Sequence, residues 1–153
     1  RFTYWPQLFL GITFNYGLIL GWFSTDNEIS IIPLIFYLGA IFWTLGYDTI
    51  YGFQDIRDDE IIGLKSTSIK FKNNPYKFLK LCYLVFLITL LIVGYLLGLN
   101  KLYYLLFFMI FLQMFYSQIK KLDIKVPKKC LDTFKSNNFL GLLVLFSLII
   151  GKI

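Results

Sequence analysis

The sequence predicts an all-α fold, a multi-pass transmembrane helical bundle, on three observations. Hydrophobic residues make up 58% of the 153 positions and aromatic residues 20%, well above the roughly 45–50% apolar content of an ordinary soluble domain. The apolar residues are gathered into runs that approach or reach the roughly 20 residues a helix needs to cross hydrocarbon. The basic residues alternate between connections, as membrane topology demands.

In chain order, the first predicted span is Leu8 to Phe23, after the opening "RFTYWPQ". That opening offers no small-residue cleavage site of the kind that ends a signal peptide. With no initiator Met, the chain reads as the C-terminal part of a longer protein. The second span, Ile31 to Tyr47, follows "STDNEIS", a connection without Lys or Arg. A long charged connection then leads to the third span, Phe78 to Leu99. "GLNK", with Lys101 as its one basic residue, leads to the fourth, Leu102 to Ile119. The fifth, Phe139 to Ile153, is short, and residues on its N-terminal side are available to extend it. Asn137 and Asn138 open it as a polar pair, read either as a helix cap or as a pocket contact.

The net charge is +6, and its placement is more informative than its size. Arg57, Lys65, Lys70, Lys72, Lys77 and Lys80 lie in or beside the second connection; Lys120, Lys121, Lys125, Lys128, Lys129 and Lys135 lie in or beside the fourth. The second and fourth connections and the N-terminus are therefore expected on the cytoplasmic side, with Asn27 and the C-terminus outside. Lysines that flank spans do not make a basic nucleic-acid-binding module, so no nucleic-acid partner is expected. Cys82 falls in a span and Cys130 in a cytoplasmic connection, which argues against a disulfide. Without histidine, and with two separated cysteines, the chain offers a metal chiefly hard oxygen ligands.

Those oxygens are concentrated. Tyr47 to Thr67, "YDTIYGFQDIRDDEIIGLKST", contains Asp48, Asp55, Asp58, Asp59 and Glu60, more than half of the nine acidic residues. If the second helix continues through this stretch, Asp55 and Asp59 lie about 20° to either side of Asp48, at roughly 100° per residue. Tyr51 lies close to that face, Arg57 projects from nearly the opposite side, and Gly63 marks the helix end. Like charges at i, i+4 disfavour a helix, and a divalent cation removes the conflict. Carboxylates without His or Cys suit Mg²⁺, which leaves coordination positions for water and phosphate. Lys65, with the Ser66 or Thr67 hydroxyl, suits a phosphate. The alternative reading is a solvated loop whose acids are balanced by the lysines after it.

The stretch "YDTIYGFQDIRDDEIIGLKSTSIKF" resembles the second aspartate-rich motif of the UbiA-type intramembrane aromatic prenyltransferases, DxxYxxxDxxxD followed by G and KST. Here that motif is Asp48, Tyr51, Asp55 and Asp59, then Gly63, Lys65, Ser66 and Thr67. "YDT" with "GLKST", the opening "RFTYWPQLFLG" and the late "FKSNNFLGLL" are most similar to the branch that prenylates 4-hydroxybenzoate in ubiquinone synthesis. The resemblance covers nearly the whole chain. It implies a Mg²⁺-dependent bundle of nine transmembrane helices, of which about five are present here. Residues 1–153 would then be the C-terminal half of the membrane domain. The family's first motif, NDxxDxxxD, is not found in this sequence, so the resemblance implies further N-terminal helices as partners.

The implied reaction moves a polyprenyl group from polyprenyl diphosphate to the ring of 4-hydroxybenzoate, or a similar aromatic acid, ortho to its hydroxyl. The resemblance assigns Mg²⁺ to Asp55 and Asp59 with Asp48, and the diphosphate to Lys65, Ser66 and Thr67. Tyr51 and Asp48 are the catalytic candidates, Tyr51 through the cation–π attraction of its ring for an allylic cation. The bland reading of Tyr51 is an aromatic packed at a helix boundary. The expected setting is the lipid bilayer of a bacterial inner membrane, with the acidic motif facing the cytoplasm. Two other readings are a UbiA-type enzyme with another acceptor and a non-catalytic remnant or ion-binding subunit. Transport would favour ionisable groups deep in several spans, and these spans are nearly free of charge.

Overall fold

A computed structural model describes residues 2–25 and 30–153, and they fold as an all-helical bundle. Five helical stretches among them are long and apolar enough to cross a membrane. The first is α1 (Pro6–Phe14) followed by α2 (Tyr16–Thr25); the second is α3 (Ile32–Gly52). Two short helices, α4 (Ile56–Ile61) and α5 (Thr67–Lys70), occupy the charged connection. The remaining spans are α6 (Pro75–Leu96), then α7 (Lys101–Leu112) continued by a π-helix (Gln113–Lys120), and α8 (Pro127–Lys152). Asn27 lies outside the described residues.

All four prolines of the sequence sit in the first turn of one of the spanning helices, Pro6, Pro33, Pro75 and Pro127. There the missing N–H costs nothing and the fixed φ is already helical. The spans begin within a few residues of the predicted starts, except the last. α8 opens twelve positions before Phe139. Asn137 and Asn138 therefore lie inside a helix rather than at its cap, and Cys130 sits on the same helix, buried and free.

The core forms where α3, α6, the α7 span and α8 meet, around Leu45, Leu79, Tyr83, Phe86, Leu90, Tyr103, Ile110 and Leu140. Small residues permit the closest approach. A Cβ on Gly46 would lie 2.6 Å from the Tyr83 ring, so α3 and α6 pack here only because that position is glycine. The α1–α2 span packs along α3 and leaves most of its apolar surface outward, which lipid accepts at no cost.

The spans run up and down. At one end Tyr76 donates to the Leu122 carbonyl (3.2 Å), and a cleft is lined by residues of both the 53–74 and the 121–126 connections. The second and fourth connections thus share one end of the bundle. At the other, Asn100 caps α7 with its side chain while its own N–H donates to Gly151 O (2.9 Å).

Candidate functional site at the acidic end of the bundle

The helix carrying Asp48 stops before the other carboxylates. The expected continuous helix from Ile31 through Asp59 is broken at Gly52, and the cause is a competing hydrogen bond. In a continuing helix the Thr49 carbonyl would receive the N–H of Phe53. Instead it accepts from Ser68 Oγ (2.9 Å), and Phe53 N–H turns to Ile50 O (3.2 Å). The last turn tightens, as helix ends do when a carbonyl finds another partner. The chain passes through Phe53 and Gln54 into α4, whose N-cap is Asp55. Gly63, at φ +69°, then turns the chain back, a conformation that favours glycine.

The carboxylates are therefore distributed. Asp48 is half-buried on α3. Asp55 lies at the start of α4, and Asp59 one turn on, with its N–H donating to Asp55 O (3.0 Å). The Asp55 carboxylate does not cap its own helix; it accepts from Gln54 Nε2 (3.1 Å) and lines a cleft of about 640 Å³ with Arg57, Asp58, Lys72 and Lys125. Among the described residues no three acidic side chains converge as a metal cluster. Of the five acids, Glu60 alone has an ion-pair partner among the described residues, Lys72 at 2.6 Å.

The predicted phosphate-binding residues fall into two groups. Lys65 is half-buried, its Nζ 5.7 Å from the centroid of the Tyr4 ring, without a carboxylate partner among the described residues. Ser66 and Thr67 are buried and their hydroxyls are engaged: Ser66 Oγ accepts from Ile69 N–H (3.3 Å), and Thr67 Oγ1 pairs with Thr49 Oγ1 (2.6 Å). Gln7 Oε1 accepts the Thr67 N–H (3.0 Å). Together these bonds fasten the Lys65 turn to α3 and α1.

Tyr51 is partly exposed, its ring 4.8 Å from that of Phe134. It ends a row that sequence reasoning did not assemble. Phe86 stacks on Trp43 at 5.0 Å, Trp43 meets Tyr47 at 5.9 Å, and Tyr47 meets Phe134 at 5.7 Å. Trp43, Tyr47 and Tyr51 recur every fourth residue on α3, a spacing that places them on one helix face. Trp43, Tyr47 and Phe134 line a groove of about 500 Å³ along with Asn15, Thr44 and Asn138, so Asn138 is a pocket residue.

Asn137 lines the same groove and belongs to a buried clasp across four spans. Its Oδ1 accepts from Trp43 Nε1 (2.9 Å) and from Gln118 Nε2 (3.1 Å), while Gln118 Oε1 accepts from Tyr83 OH (2.6 Å). This clasp holds the Trp43 indole in place. Polar side chains at membrane depth are costly and were a visible signal.

Fold and site together define a polytopic helical membrane protein with an acidic surface at the end of a row of aromatic rings. The chain belongs to the UbiA prenyltransferase family, whose profile matches residues 1–145. It is 39% identical to the mitochondrial 4-hydroxybenzoate polyprenyltransferase of Bos taurus and 40% to that of Homo sapiens. Both matches cover 100% of this chain and 41% of the relative. The 4-hydroxybenzoate octaprenyltransferase of Francisella tularensis subsp. novicida is 34% identical over 100% of this chain and 54% of its own length. The chain thus spans about two fifths to one half of these relatives. No solved structure matches it.

Proposed function

We propose that this chain supplies the second-motif side of a site that transfers a polyprenyl group from its diphosphate to the ring of 4-hydroxybenzoate. The observation that carries this reading is the aromatic row from Phe86 to Tyr51, which runs from the bundle interior to the acidic end. An allylic cation needs a water-poor path lined by π faces, each worth about 0.5–2 kcal/mol to a cation. Its diphosphate leaving group needs cationic charge at the membrane surface. Names of the relatives support the same chemistry.

The donor set fits Mg²⁺, which commonly takes one or two carboxylates and keeps sites for water and phosphate oxygens. Asp55 and Asp59 would hold the ion, with Asp48 adding negative charge on α3. The ion's contribution is neutralisation of the leaving diphosphate. Lys65 meets the diphosphate as a point charge, and Ser66 and Thr67 set the turn that carries it. Tyr51, Tyr47 and Trp43 present ring faces to the prenyl cation. The setting is a bacterial inner membrane with the acidic end at the cytoplasmic face, an orientation supported by the lysines gathered at that end.

The test is Mg²⁺-dependent binding of a prenyl diphosphate to Asp55→Asn and Asp59→Asn proteins assembled with the rest of the enzyme. Each substitution is expected to weaken binding. Undiminished binding in both would remove the metal assignment.

A further inference from the structure

At the lysine-rich end, the end of α7, the π-helix and α8 line an open groove of about 320 Å³. Met109, Leu112, Phe139 and Leu143 make it apolar, while Ser117 and Lys121 give it a polar rim. Lys121 and Tyr116 line the groove, and Lys120, beside it, shares the same ring: Lys120 Nζ and Lys121 Nζ lie 5.1 and 4.9 Å from the centroid of the exposed Tyr116. Among the described residues neither has a carboxylate within ion-pair distance, and nearby Asp123 is taken by Lys129 at 3.7 Å. Two like charges gathered on a neutral ring leave a site electrostatically incomplete. Its position at the end of a span is headgroup depth.

We propose that this groove binds an anionic glycerophospholipid. The phosphate sits between Lys120 and Lys121, Ser117 Oγ donates to it, and one acyl chain follows the apolar floor. Basic pockets between transmembrane helices recur as sites for anionic headgroups. The groove uses the Phe139 and Leu143 flank of α8, whereas Asn138, Gly141 and Leu142 line the aromatic groove. The lipid site is thus separate from the prenyl path, and the inference stands independently of the reaction proposed above.

The test is native mass spectrometry of the intact protein in neutral detergent, titrated with phosphatidylglycerol and with phosphatidylcholine of the same chains. Tight binding of phosphatidylglycerol alone is expected. The Lys120→Gln/Lys121→Gln protein should lose about thirtyfold in affinity, a factor of roughly five per lysine, and Lys120→Arg/Lys121→Arg should retain it. Lys77→Gln/Lys80→Gln, with the same change in net charge, should leave it intact. Equal loss in that control would show diffuse attraction and overturn the site. Equally tight phosphatidylcholine, or displacement of phosphatidylglycerol by geranylgeranyl diphosphate, would overturn the assigned occupant.

Discussion

Replacing Gln118 with leucine is expected to destabilise the bundle by about 2 kcal/mol, more than an interhelical hydrogen bond usually contributes in a membrane. Such bonds average about 0.6 kcal/mol and reach about 1.7. Gln118 is fully buried, and its amide accepts from Tyr83 OH on one side and donates to Asn137 Oδ1 and Ser136 Oγ on the other. Leucine removes all three bonds and strands the Tyr83 hydroxyl, itself fully buried, at a cost of about 1–3 kcal/mol. Tyr83→Phe alone should cost about 1 kcal/mol, since only the glutamine oxygen is left wanting. In the double variant the stranded hydroxyl is gone, so the two losses should sum to about 1 kcal/mol more than the double variant loses. Denaturant titration in mixed micelles measures the cycle. Because Trp43 hangs from the same clasp, its emission in a Trp5→Phe/Trp22→Phe background should shift in Gln118→Leu. Additive losses with unchanged Trp43 emission would refute the clasp.

Gly46→Ala should destabilise by about 1–3 kcal/mol through overpacking against Tyr83, whereas Gly141→Ala, whose Cβ would lie 3.4 Å from the Trp43 ring, should be near neutral in the same titration. Cysteines placed at Arg57 and Lys128 should label from one side of sealed membranes, the cytoplasmic side; labelling from opposite sides would undo the pairing of the second and fourth connections. Residues 1–153 alone should give no measurable prenylation of 4-hydroxybenzoate with Mg²⁺ and polyprenyl diphosphate. Fusion or co-expression with helices bearing NDxxDxxxD should restore it, and turnover by the isolated chain at the rate of a complete enzyme would refute this.

The spans were legible because bilayer thickness and apolar run length measure the same thing. Their starts were blurred because hydropathy ignores capping: proline in the first turn marks them better, and Pro127 reveals the charged opening turns of α8 that a hydropathy reading discards. The break at Gly52 was not legible, since it depends on Ser68 Oγ reaching the Thr49 carbonyl across nineteen positions. The same holds for the contacts of the Ser66 and Thr67 hydroxyls with Ile69 N–H and Thr49 Oγ1, which only the folded chain brings together. The aromatic row was half legible. Trp43, Tyr47 and Tyr51 share a helix face by spacing alone, but Phe134 and Phe86 join it only through tertiary packing.

The break at Gly52 also resolves a difficulty in the single-helix reading. A continuous helix aligns Asp48 with Asp59 on one face, yet separates them by about 16 Å along its axis, at about 1.5 Å per residue. Carboxylates so far apart on one rod face the same way but cannot crowd around one diphosphate. A turn between them is required if α3 and α4 are to serve the same substrate. The turn is held from outside the acidic stretch, by Ser68 on the Thr49 carbonyl and by Thr67 on the Thr49 hydroxyl. Those residues directly follow Lys65. The segment that carries Lys65 therefore also holds, through Thr67 and Ser68, the turn that brings the α4 aspartates off the axis of α3.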